Sequence, residues 1–211
     1  SAGLRSASIG TLGVIVDGQV NYGGLTTPDP VALHKTLDKL AREGVNHCAL
    51  EASSHGLDQH RLDGVRFTAG AFTNLGRDHM DYHETEDEYF NAKARLMNAL
   101  LPKGAAFIAN LEAPWGEKAS AVAEQSELRV MRLGDDIKIL ERTVETTESG
   151  PVQVLKLSFF GQDSELRFPL PGAFQVDNAL MAAGSKWRLS PKPINRPLIG
   201  WLATIKYRPL Q

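Results

Sequence analysis

The sequence predicts an α/β fold: a mostly parallel sheet flanked by helices, with a small antiparallel β appendage. Three observations carry that expectation. Short apolar runs alternate with helical patterns from residue 7 to residue 134, as in a parallel sheet covered by helices. Dense polar stretches stand directly behind two of the apolar runs, where open parallel sheets bind their ligands. From residue 137 the texture changes to alternating segments parted by "SGP" and "GQD", which reads as antiparallel strands.

In chain order, "ASIGTLGVIV" (7–16) reads as one strand broken by "DGQ". "LTTPDPVALHKTLDKLAREG" is the clearest helix, with Asp29 as its cap, Pro30 in its first turn, Leu33, Leu37, Leu40 and Ala41 at helical spacing, and Gly44 as its stop. "VNHCALEA" (45–52) reads as a short buried strand and "AGAFTNL" (69–75) as another. A helix is expected from about Glu86 to Leu101, then strands at "AAFIAN" (105–110) and "LRVMRLG" (128–134). "PGAFQVDNALMAAG" returns to helix. Residues 185–211, with four prolines and no clean period, form a divergent tail beside a domain of residues 1–184.

The composition narrows the function classes. Lys and Arg total 23 against 25 acidic residues in 211, a net charge of −2, so no bulk charge favours nucleic acid or an anionic membrane. An anionic ligand must be met by local groups. Cys48 is the single cysteine and cannot form an internal disulfide, which fits a reducing compartment; the expected location is cytoplasmic. No apolar run approaches the ~20 residues of a membrane span.

Two polar clusters hold four of the six histidines. Glu51 is followed by Ser53, Ser54, His55, Gln59, His60 and Arg61; Thr73 and Asn74 are followed by "GRDHMDYHE". Taken singly, these residues read as solvated loop residues and helix caps. Taken together they permit a metal site, since His79 and His83 have helix-like spacing and Glu51, Asp78 and Asp81 offer oxygens. No HExxH or cysteine pair completes a zinc pattern, and carboxylates with an occasional imidazole suit magnesium better.

Lys93 adds a further clue. On a helix it shares a face with Tyr89, Leu96, Met97 and Leu100, while Asp87, Asn91 and Arg95 take other faces. A lysine there either lets its amine escape to water or has its charge altered. Beside metal ligands, only the second is electrostatically sensible.

"TTPDP", "EASSHGLDQHR", "FTNLGRDHMDYH", "YFNAKARL" and "GAFQVDNAL", in this order and spacing, resemble the central domain of the Mur ligases, most closely the MurE type. The resemblance covers residues 7 to 184 and implies a Rossmann-like central domain of the P-loop NTPase kind. It implies ATP-dependent addition of the third peptide residue, meso-diaminopimelate or L-lysine, to UDP-N-acetylmuramoyl-L-alanyl-D-glutamate through an acyl phosphate, in peptidoglycan synthesis. On the same basis Glu51 and His79 are magnesium ligands and Lys93 is a carbamylated lysine that holds a second magnesium. Thr26, Thr27, Ser53, Gln59 and Arg61 hold the UDP-muramoyl-dipeptide, and Asn110 approaches the nucleotide.

The sequence departs from that pattern in three places. "NLE" replaces the usual "NxDD" at Asn110, no Gly-Lys-Ser/Thr occurs anywhere in the 211 residues, and the likeness ends after Gly184. The expectation is therefore an incomplete catalytic domain that is inactive alone, its N- and C-terminal partner domains lying outside this sequence. Two alternatives stay open at this stage: a non-catalytic binding module that keeps the muramoyl-peptide contacts, and a metal-dependent hydrolase.

Overall fold

A computed structural model describes residues 5–21, 24–76, 81–148, 150–169 and 172–189, with side chains of the last helix described through residue 184. The described residues of Ser1–Phe67 and Arg77–Leu101 form one compact unit; those of Thr68–Gly76 and Pro102–Gln211 form a second.

The first unit holds a four-stranded sheet. The stretch expected to be one strand is a pair, β1 (Ser6–Gly10) and β2 (Gly13–Val16), with β3 (Gln19–Asn21) added beyond. The reason lies in the turns: Gly10 pairs with Gly13 across Thr11 and Leu12, while Asp17 and Gly18 both take positive φ and reverse the chain tightly. The Asp-Gly pair that breaks the apolar run is thus the turn of a hairpin.

Helix α1 (Pro30–Arg42) follows the expectation closely. Asp29 caps it by accepting a 3.0 Å hydrogen bond from the Ala32 N–H, and Leu33 and Leu40 are buried. Its end is closed by Gly44 N–H to Ala41 O and Val45 N–H to Leu40 O, both 3.0 Å, with Gly44 at φ +80°, where a side chain would be strained.

Strand β4 (His47–Leu50) runs parallel to β1 in the order β3-β2-β1-β4. The expectation of a buried strand is corrected here. Among the described residues β4 is an edge strand, and His47, Cys48 and Ala49 are exposed. Helix α2 (Ser54–Asp58), unforeseen, follows it, capped by Ser53 Oγ on the Gly56 N–H at 3.1 Å. The small core beneath gathers Ile9, Leu33, Leu40, Leu57 and Leu62. Helix α3 (Glu86–Arg95) starts at Thr85, whose Oγ accepts from the Glu88 N–H, and carries three acids in its first turn, as the helix dipole favours. It runs on into a wider π turn over Leu96–Leu100.

The second unit carries a six-stranded sheet. Its parallel part is β5 (Ala69–Phe72), β6 (Ala106–Asn110), β7 (Arg129–Leu133) and the start of β8 (Ile137–Thr147). Every residue of β6 is buried, as a central parallel strand requires. The expected antiparallel part is β8 with β9 (Gly150–Phe159) and β10 (Gln162–Phe168). Helix α4 (Gly116–Gln125), also unforeseen, and α5 (Ala173–Leu189) complete the unit. Val176, Ala179, Leu180 and Met181 of α5 pack on Ile108, Met131 and Leu157. Helix α5 continues past Gly184 to Leu189, and the rest of the expected tail lies outside the described residues.

Candidate functional site

The first unit brings the polar residues behind β4 together. Thr27, fully buried, is the hub: its hydroxyl donates to Glu51 O at 2.9 Å and accepts from Ser53 N–H at 3.0 Å and Ser53 Oγ at 2.9 Å. Its carbonyl accepts from Arg61 Nη1 at 3.0 Å. A buried hydroxyl and carbonyl so saturated tie the segment ahead of α1 to the turn between β4 and α2 and to Arg61. Gly56 permits the approach, because a Cβ there would stand 2.6 Å from Thr27 Cβ and Cγ2.

Arg61 turns its guanidinium onto Gln59. Nε donates to Gln59 Oε1 at 3.0 Å, Nη2 bonds the same oxygen, and Gln59 Nε2 donates to Tyr82 Oη at 3.2 Å. Tyr82 Oη in turn donates to Asp58 Oδ2 at 2.7 Å. The fork suited to an anionic oxygen pair thus rests on a neutral amide oxygen, which an incoming carboxylate can replace.

Glu51 is anchored by one oxygen. Thr11 gives its backbone N–H and its hydroxyl to Glu51 Oε2, each at 3.0 Å, and Thr11 Oγ1 stands 3.1 Å from Thr26 Oγ1. Gly10 leaves the room: a Cβ there would lie 2.7 Å from Glu51 Oε2. Thr11 was not singled out from the sequence, although its place between the paired Gly10 and Gly13 in "GTLG" was a usable signal.

Lys93 is half-buried on α3, with Nζ 5.3 Å from the centre of the Tyr89 ring. Burial pushes its pKa below the ordinary lysine value, and the Glu51 carboxylate pulls part of the way back. The amine is thereby moved toward the neutral form that can react with carbon dioxide.

His79 and Asp78 lie outside the described residues. The expected helix-like pairing of His79 with His83 therefore falls partly outside the described residues; His83 itself precedes α3, which begins at Glu86. His83 is instead buried among rings: stacked on Tyr89 at 5.1 Å, edge-on to Tyr82 at 4.8 Å and 5.9 Å from His55. Among the described residues no group of three or more His, Cys, Asp or Glu is arranged to hold a metal ion. Thr73 and Asn74 are exposed in the second unit. Asn110 is also there, buried at the end of β6, where its Oδ1 accepts from the Glu112 N–H at 3.1 Å.

Comparison with known proteins bears on this arrangement. The family model described as the Mur ligase middle domain matches residues 2–185. The chain is 50% identical over 184 residues to the UDP-N-acetylmuramoyl-L-alanyl-D-glutamate–2,6-diaminopimelate ligase of Chelativorans sp. (strain BNC1), covering 87% of this chain and 38% of that protein. It is 51% identical over 186 residues to the ligase of the same name from Brucella melitensis biotype 1, covering 87% and 37%. The chain thus spans less than two fifths of the curated relatives it matches. A solved structure of a ligase of that name superimposes with a TM-score of 0.80 at 26% identity, covering 99% of this chain and 42% of that one. The complex titled FPGS-AMPPCP shares the fold, with a TM-score of 0.65 at 15% identity, covering 95% and 55%. With its family model matched over nearly the whole described chain and its α/β architecture shared with these structures, the chain belongs to the Mur ligase middle-domain family.

Proposed function

We propose that this chain is the substrate-holding middle domain of a cytoplasmic, ATP-dependent ligase that joins 2,6-diaminopimelate to UDP-N-acetylmuramoyl-L-alanyl-D-glutamate in peptidoglycan synthesis. One observation carries the reading: Thr27, Ser53, Gln59 and Arg61 form a single hydrogen-bonded network, with Thr26 joined through Thr11 to Glu51. The names of the relatives support diaminopimelate as the incoming amino acid.

In this reading the residues of the chain divide the work. Arg61 exchanges Gln59 Oε1 for an anionic oxygen pair of the muramoyl-dipeptide, and Thr26, Thr27 and Ser53 line the same stretch as hydroxyl donors and acceptors. Glu51 Oε2 is occupied by Thr11, so its other oxygen remains to face a cation. The donor set fits magnesium once Lys93 is carbamylated. The neutral amine and carbon dioxide then give an N-carboxylate and a proton, converting a repelling cation into a second anionic oxygen donor. Magnesium bound by Glu51, the Lys93 carbamate and His79 would neutralise charge between the approaching anions.

The residues present do not fit a full ATP site. The sequence has no Gly-Lys-Ser/Thr to cradle phosphates, so no phosphoryl-transfer step is assigned to its residues. Asn110 remains the candidate nucleotide contact. A second reading is a binding module that keeps the muramoyl-peptide contacts without turnover.

Isothermal titration of the 211-residue chain with UDP-N-acetylmuramoyl-L-alanyl-D-glutamate tests both. Arg61→Ala is expected to weaken binding about a hundredfold and leave it measurable. Failure of the unaltered chain to bind would remove both readings, and dipeptide-dependent ATP turnover by a longer protein that contains this domain separates them.

A further inference from the structure

Helix α2 ends in the same pair of backbone bonds that ends α1, but with a different residue at the left-handed position. His60 N–H bonds Leu57 O at 3.2 Å and Arg61 N–H bonds Gly56 O at 2.8 Å, with His60 at φ +57° where α1 has Gly44. Left-handed backbone is disfavoured for any residue with a Cβ and persists when surrounding structure holds it.

The holder comes from α3. Arg95 Nη2 donates to Asp63 Oδ1 at 3.1 Å and lies 2.8 Å from His60 Nδ1, which itself lies 2.8 Å from Asp63 Oδ2. The three side chains therefore close on one another. With Nδ1 bare the ring accepts from Arg95; with Nδ1 protonated it donates to Asp63, and Arg95 keeps its bond to Asp63 in either state. The guanidinium also draws the Asp63 carboxyl below its ordinary pKa, alongside the larger effect of the His60 bond. Arg95 is three-quarters covered, and its Nε is buried without a hydrogen bond among the described residues, so the side chain accepts a cost to reach this turn.

We propose that Arg95 is a positioning residue for Arg61: it clamps the His60–Asp63 turn from α3 and thereby aims the guanidinium that receives the muramoyl-dipeptide. The aim follows from the turn. Arg61 is tied by its N–H to Gly56, and Leu62 behind it is fully buried, so the side chain is left facing Thr27 and Gln59. Arg95 stands two residues beyond Lys93, so one helix places both the substrate arginine and the lysine. This inference rests on the proposed role of Arg61.

The test uses the 211-residue chain and UDP-N-acetylmuramoyl-L-alanyl-D-glutamate in titration calorimetry. Arg95→Met is expected to weaken binding about tenfold and Arg95→Lys to recover part of the loss. In an Arg61→Ala background, Arg95→Met is expected to change nothing further, because its effect passes through Arg61. Additive losses in the double variant would show a general structural role and overturn the proposal. Amide hydrogen exchange supplies a ligand-free readout: Arg95→Met, or Arg95→Lys should the former fail to fold, is expected to speed exchange at Arg61 at least several-fold while Leu37 and Leu40 stay unchanged. If the unaltered chain does not bind the dipeptide, the functional reading falls, and the clamp still stands or falls on the exchange at Arg61. Unchanged exchange there removes the clamp.

Discussion

Thr11 and Glu51 meet at a single atom: both the backbone N–H and the hydroxyl of Thr11 donate to Glu51 Oε2 at 3.0 Å. The arrangement anchors one carboxylate oxygen and leaves the other outside the pair. Thr11→Val removes the hydroxyl bond while keeping the backbone one. Manganese binding, followed by water-proton relaxation, is expected to weaken by about 1 kcal/mol, roughly fivefold, with Thr11→Ser near the unaltered chain. Equal affinity in all three would mean that the hydroxyl does not orient the carboxylate for a cation.

Lys93 has a pH signature. Its folded pKa is depressed, so at neutral pH the protonated amine is held less well in the fold than in the unfolded chain. That penalty is complete below the folded pKa and disappears as pH rises toward the ordinary lysine value of about 10.4. In carbon-dioxide-free buffer, Lys93→Met is therefore expected to melt higher than the unaltered chain at pH 7, the gap closing toward pH 10. A gap that widens with pH would mean the amine is stabilised as a cation.

The same neutral amine is the reactive form toward carbon dioxide. In 13C-bicarbonate a carbamate carbonyl resonance is expected at mildly alkaline pH and is expected to be missing in Lys93→Arg. A spectrum identical in both proteins would leave Lys93 as a lysine whose stem packs and whose amine reaches water.

Two glycines separate a hard contact from a softer one. A Cβ on Gly116 would lie 1.8 Å from the backbone oxygen of Asn110, whereas one on Gly56 would meet the Thr27 side chain at 2.6 Å. Backbone in a buried strand cannot step aside. Gly116→Ala is expected to cost more than about 3 kcal/mol and Gly56→Ala about 1 to 3 kcal/mol, at roughly 2–4 °C of Tm per kcal/mol. Equal melting shifts would mean that the loop after β6 relaxes freely.

For the chain as it stands, no dipeptide-dependent phosphate release from ATP is expected, because the backbone cradle and its lysine are missing from the sequence. A malachite-green assay decides this, with Lys93→Ala as the control for contaminating enzyme. Release that survives in the purified chain and vanishes in that variant would overturn the expectation.

What could be read from the sequence was what short-range chemistry dictates. Asp29, Pro30 and Gly44 bound α1 because caps and stops act within one turn, and the change in texture after residue 136 located β8 to β10. Helix α2, five residues long, has no room to show a period; α4 has Gly116 as its first residue and a weak apolar face. At the candidate site, Thr26, Thr27, Ser53, Gln59 and Arg61 stand out by resemblance, but their partners do not. Thr11, Tyr82 and Arg95 reach the site from 40, 23 and 35 residues away along the chain, and only folding shows who answers whom. The exposure of β4 is not legible in its residues, because an apolar sequence reports what a strand can cover and not its place in the sheet, which among the described residues is an edge.

That last difference sets a practical limit on handling the protein. An uncharged strand, at the sheet edge among the described residues and with Cys48 and Ala49 exposed, is a template onto which another chain can add, with a thiol beside it to make the addition covalent in air. Shelf life, rather than melting point, becomes the property this edge governs. Storage cold, dilute and under reductant is expected to keep solutions clear, with light scattering rising as concentration climbs and falling again when a lysine is written into the edge at Ala49.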